Sequence, residues 1–102
     1  MSEATGPIWV GVATFDVLTP EARSLKDKRG LVTPVVERLR RRFDVSVARL
    51  GHLDRWDRET IGVSVVSSDP DVARSLLERV LDVAESVGPR LASSTVEVER
   101  WD

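Results

Sequence analysis

The chain predicts an α+β fold: a ferredoxin-like βαββαβ sandwich, with a four-stranded antiparallel sheet in the order 4-1-3-2 and two helices on one face. Three observations predict it. Apolar residues alternate with period two in four segments and recur at helical spacing in two others. Those segments follow one another as β-α-β-β-α-β. The link between the second and third strands is too short for a crossover, which makes them antiparallel neighbours. Right-handed crossovers then give the strand order. A length of 102 residues suits one domain. It is read as a flexible leader over residues 1–7 and a single ferredoxin-like domain over 8–102.

The first strand is read over Ile8 to Val17, from its alternation and β-forming residues. Ile8, Val10, Val12 and Thr14 fall on one side, and Trp9, Gly11, Ala13 and Phe15 on the other. Both sides are largely apolar, so the strand is expected to be central. The second set is assigned to the open face of the sheet, beside Ser64, Val66 and Trp101. An exposed apolar patch of that kind marks an interface. Trp9, Ala13, Phe15 and Trp101 are therefore the expected self-association residues.

Ser24 follows a loop containing Pro20, and Asp27 stands three residues on, so Ser24-x-x-Asp27 reads as a capping box opening a helix. The helix is expected from Leu25 to about Phe43, with Val32, Val35, Val36, Leu39 and Phe43 as its apolar stripe. Gly30 and Pro34 are poor interior helix residues, and a kink near Gly30, or a first turn set off from the rest, is expected. Val45 to Leu50 is the second strand, Gly51 to Glu59 a charged loop, and Thr60 to Ser67 the third strand. Asp69-Pro70 is an N-cap followed by proline at the first helical position. This second helix runs to about Val87, where Gly88-Pro89 ends it. Thr95 to Trp101 is the last strand, with Val96 and Val98 inward and Glu97, Glu99 and Trp101 outward.

The net charge of −2 argues against a generic nucleic-acid binder, but the charges are unevenly placed. Residues 23–42 hold eight basic and two acidic residues, a net +6, and the remainder is net −8. In this topology the start of the first helix and the 51–59 loop share one end of the sandwich. That end gathers Arg23, Lys26, Lys28, Arg29, His52, Asp54, Arg55, Trp56, Asp57 and Arg58.

Chemistry-bearing motifs are few. The absence of cysteine excludes disulfides, thiol nucleophiles and cysteine metal sites. There is no P-loop, Gly-rich dinucleotide turn or nucleophile elbow. His52 with Asp54 and Asp57 is a conceivable metal set without recognised ligand spacing, so no metal and no cofactor are expected. The third strand lacks the aromatic motif with which RNA-recognition sheets stack bases. No apolar run approaches the ~20 residues of a membrane span, and no secretory signal opens the chain, so no membrane partner and a cytoplasmic location are expected.

Ser24-Leu25-Lys26-Asp27-Lys28-Arg29, the segment Arg41 to Ala48, and His52-Leu53-Asp54-Arg55-Trp56-Asp57-Arg58 together resemble the YlxP-like family of small uncharacterised bacterial proteins. The resemblance covers roughly residues 8–101. Arg49 and Leu53 stand where the family pattern more often has Glu and Gln. The resemblance implies a ferredoxin-like fold and a genomic setting beside translation initiation factor two and ribosome-binding factor A. It carries over no catalytic residues. The resulting expectation is a non-enzymatic accessory factor for the small ribosomal subunit or RNA. Lys26, Lys28, Arg29, Arg40, Arg41 and Arg55 would meet phosphates, and Trp56 would stack on a base or pack on a protein. The alternative is a homo-oligomeric interaction module, a dimer, without nucleic-acid binding.

Overall fold

The computed structural model describes residues 6–102. Most of the leader read over 1–7 lies outside the described residues. The elements are β1 (Trp9–Leu18), α1 (Leu25–Arg42), β2 (Ser46–Gly51), β3 (Arg58–Ser67), α2 (Pro70–Ser86) and β4 (Arg90–Arg100). The sheet is four-stranded and antiparallel, with spatial order β2-β3-β1-β4. That is the expected 4-1-3-2 read from the other edge. β4 begins well before the expected Thr95, because Arg90 to Ala92 continue the pairing with Asp16 to Leu18 past a register shift between Thr14 and Asp16. Ser93 takes a left-handed φ of 54° at that shift.

Both helix starts are made by side chains. Ser24 Oγ accepts the Asp27 N–H at 3.0 Å, and Asp27 Oδ2 accepts the N–H of Arg23 at 3.0 Å. The reciprocal bond thus reaches one residue further back than in a standard capping box. Asp69 Oδ1 accepts the N–H of Asp71 at 2.8 Å and of Val72 at 3.4 Å, with Pro70 at the first helical position. α1 closes with the Phe43 N–H on the Leu39 carbonyl, and its last turn carries Arg40, Arg41 and Arg42, which suit the negative end of the dipole. α1 runs as one helix through both Gly30 and Pro34, so the first turn is not set off from the rest.

The core is a single layer between the helices and one sheet face. Phe15, Val17, Ile61 and Val63 supply the sheet side, and Val32, Val35, Leu39, Leu77 and Val80 the helix side. At about 25 cal/mol per Å² of apolar area, such side chains contribute about 1.5–3 kcal/mol each.

The register corrects the expected open face. Residues paired across antiparallel strands point to the same side. Ala13 pairs with Val63 and Phe15 with Ile61, so these side chains lie under the helices. Ala13 and Phe15 are fully buried, and Trp9 shares their side and is half-buried. At Gly11 an added Cβ would stand 2.8 Å from Leu77 Cδ1, so α2 descends onto the glycine backbone. Ala13, Phe15 and Trp9 therefore leave the self-association set. The open face carries the other parity: Val10 opposite Val66 and Glu99, and Val12 opposite Ser64 and Glu97. Trp101 lies beyond β4 and is 76% exposed, as expected.

Candidate functional site

The end of the sandwich where α1 begins is organised by a buried ammonium. Lys28 is 2% exposed, because the helical stripe that buries Val32 and Val35 also points residue 28 inward. Its Nζ donates to the carbonyls of His52 at 2.9 Å and Leu53 at 3.2 Å, and pairs with Glu59 Oε1 at 3.3 Å. Glu59 is equally buried. Its carboxylate also accepts from Arg49, through Nε and through Nη2 at 3.1 Å, in a bidentate pair. Arg49 Nη1 donates to Thr33 Oγ1 at 3.2 Å, which ties β2 to α1. Burial pushes the Glu59 carboxyl up, but the hydrogen bonds and charges of Arg49 and then Lys28 outweigh it and hold it below the usual range. The same bond from Glu59 raises the Arg49 guanidinium further.

Lys28 is thus a structural clamp on the 52–58 loop, and it leaves the set of expected phosphate contacts. Sequence reasoning missed its partner, although a signal existed. Glu59 lies in β3 two and four residues before the inward Ile61 and Val63, so alternation alone points it into the core, where a carboxylate needs a cation. Above the cluster lies a depression of about 300 Å³, lined by Leu25, Lys28, Arg29, Arg49, Leu53 and Glu59.

The loop itself is pinned from the β1–α1 connection. Thr19 is fully buried, and its N–H donates to the Asp57 carbonyl at 2.9 Å while its Oγ1 donates to that of Trp56 at 2.7 Å. Trp56 is held by its backbone and is 51% exposed. Arg55 is spent on Asp57, through Nε at 2.8 Å and Nη2 at 2.7 Å. That bond lowers the Asp57 carboxyl.

His52, Asp54 and Asp57 do not converge. His52 leaves β2 with a left-handed φ of 55°, and its Nδ1 lies 3.1 Å from Thr60 Oγ1. The Thr60 hydroxyl donates to Asp16 Oδ1 at 2.6 Å, so the imidazole donates to it from Nδ1. Asp16 is completed by Arg58 Nη1 at 3.1 Å, and Arg58 Nε is buried without a partner. Among the described residues, no group of three or more His, Asp or Glu is arranged to hold a metal, and no helix is long and apolar enough to cross a membrane.

The remaining expected contacts lie along the outer side of α1. Lys26, Arg29, Arg40 and Arg41 are all exposed. Among the described residues none of them is ion-paired, and only Arg40 is engaged, donating to the Val47 carbonyl at 3.0 Å on the free edge of β2. Two residues that sequence reasoning did not single out join them. The guanidinium carbons of Arg42 and Arg79 stand 6.0 and 5.7 Å from the centroid of the Phe43 ring.

Solved structures similar to the chain include the de novo designed protein Foldit4, at 20% identity and a TM-score of 0.48, covering 93% of this chain and 97% of that one. A second de novo designed protein, with a ferredoxin fold, is 14% identical with a TM-score of 0.48, covering 92% of this chain and 85% of its own. In sequence, the uncharacterized protein YlxP of Bacillus subtilis is 32% identical over 77 residues, which span 76% of this chain and 84% of that protein. Residues 10–97 match the family described as protein of unknown function (DUF503). By both matches, the chain belongs to this YlxP-like family.

Proposed function

We propose that this protein is a non-enzymatic accessory factor that docks on RNA of the small ribosomal subunit through the outer side of α1. The observation that carries this reading is the row of exposed cations at Lys26, Arg29, Arg40 and Arg41, none of them ion-paired among the described residues. An arginine or lysine without a carboxylate keeps its charge for phosphate. Trp56 stands at the same end as Lys26 and Arg29 and offers an exposed aromatic surface on an anchored backbone. The translation-linked gene setting implied by the family resemblance names the target. Lys28 and Arg55 play no phosphate role in this reading, because both charges are already matched.

Co-sedimentation with purified small subunits across a salt series tests it. Wild type is expected to bind at low salt, with a log–log slope of about −3 to −4 for four phosphate contacts. Lys26→Glu/Arg29→Glu/Arg41→Glu is expected to abolish binding. If neither protein binds at low salt, or both bind equally, the reading fails. The alternative of a homo-oligomer without nucleic-acid binding has lost Ala13 and Phe15, the centre of the patch that motivated it. It would return if sedimentation gave a dimer and no subunit binding.

A further inference from the structure

We propose that the corner of the open sheet face between β1 and the end of β4 is a receptor for a cationic side chain, lysine or arginine, carried on an extended basic segment of another protein. A depression of about 140 Å³ lies there, lined by Val10, Val12, Glu97, Glu99, Arg100 and Trp101. Drug-sized ligands and cofactors occupy roughly 300–1,000 Å³, so this one suits a single side chain.

Its walls have the chemistry of a cation receptor. Strand alternation sets Glu97, Glu99 and Trp101 on one side of β4, with the carboxylates about 7 Å apart along the strand. Their cross-strand neighbours in β1 are Val12 and Val10, so no cation opposes either carboxylate. Arg100, the one cation in the wall among the described residues, donates its Nε to Asp102 Oδ1 at 3.0 Å and is already matched. Trp101 is 76% exposed, yet its backbone is fixed. The Trp101 N–H donates to the Ile8 carbonyl at 2.8 Å, and the Ile8 N–H donates to Asp102 Oδ1 at 3.2 Å.

The fold gains nothing from two like charges beside an exposed indole. A lysine or arginine stem satisfies all three groups together. Its methylenes cover the two valines, its charged head reaches the carboxylates, and the indole face attracts the cation. The same carboxylates repel phosphate, so RNA is excluded from this corner, and the α1 reading is independent of it. Charge complementarity therefore selects a basic protein segment as the occupant.

A short synthetic peptide of alternating arginine and alanine is the probe, titrated at low salt into nitrogen-15-labelled protein. The Trp101 indole N–H and the backbone amides of Val10 and Val12 are expected to shift together and saturably. A glutamate–alanine peptide should leave them unmoved. Glu97→Gln/Glu99→Gln should weaken binding roughly tenfold, and Trp101→Leu roughly fivefold, both being solvent-facing changes that keep the core spectrum. Lys26→Glu/Arg29→Glu/Arg41→Glu should bind the peptide as wild type does, whatever its behaviour with ribosomal subunits. The proposal is overturned if the Trp101 signal does not move or if the double Gln variant binds unchanged. It is also overturned if the signal shifts with protein concentration alone, which would give the corner to a second copy of the chain.

Discussion

Glu59 shows how one buried carboxylate commits several residues. Lys28 and Arg49 meet on it from different elements, and Lys28 then holds the carbonyls of His52, Leu53 and Arg58. Removing one partner of a buried pair costs about 3–5 kcal/mol, because the charge left behind has nothing to meet. Glu59→Gln is therefore expected to lower stability by about 3 kcal/mol in denaturant unfolding, with Lys28 as the stranded charge. The same site sets an acid limit. Glu59 titrates lower in the folded chain than in the unfolded one. Its contribution is present above the unfolded carboxyl range and is lost as pH falls through the depressed folded value. Unfolding midpoints measured from pH 6 to pH 3 should fall for wild type, and the Gln variant should fall less steeply.

At the scale of elements, three glycines that look alike in the sequence answer to different constraints. An added Cβ at Gly30 meets nothing within 4 Å, in mid-helix. Gly30→Ala should stabilise the protein by about 1 kcal/mol. At Gly11 the added methyl meets Leu77, which is fully buried and cannot yield, so Gly11→Ala should cost about 1–3 kcal/mol. At Gly62 the obstacle is Leu50 on the open face, 2.5 Å away but exposed and free to turn, and the change should be nearly neutral. Thermal unfolding of the three variants checks the order. Element identity was legible in the sequence because period and caps are local: Ser24, Asp69 and Pro70 announce the two helices. Which side of β1 faces the helices was not, because both sides are apolar and the answer lies in pairing with β3. Lys28 was misread for a similar reason. Its sequence neighbours Lys26 and Arg29 are solvent-facing, and only its place on the helical stripe separates it from them.

At the scale of the whole molecule, charge is sorted by face. The outer side of α1 is cationic, and the open sheet face carries Glu97 and Glu99 at its β4 edge, neither of them ion-paired among the described residues. A net charge of −2 hides this sorting, although the net +6 of residues 23–42 revealed half of it. Raising salt from 50 to 200 mM should cost subunit binding roughly two orders of magnitude, for four phosphate contacts. The acidic corner was half legible. The outward alternation of Glu97, Glu99 and Trp101 was read correctly, but the valines that complete it were placed on the other side of the sheet.

The pairing of β1 with β4 has a consequence for the order of events in folding. β2 and β3 are neighbours in sequence and close as a hairpin, whereas Val10 must find Glu99 across almost the entire chain. Loop-closure entropy for that contact is met only after the rest has formed. β4 is also an edge strand, so one row of its amides has no partner strand. It should be the last strand to dock and the first to open. In native-state hydrogen exchange, the β4 amides that face β1, such as those of Glu97 and Glu99, should exchange through smaller openings than Val63 or Ile61 of β3. A Thr95→Ala change should then speed unfolding while leaving the refolding rate nearly unaltered.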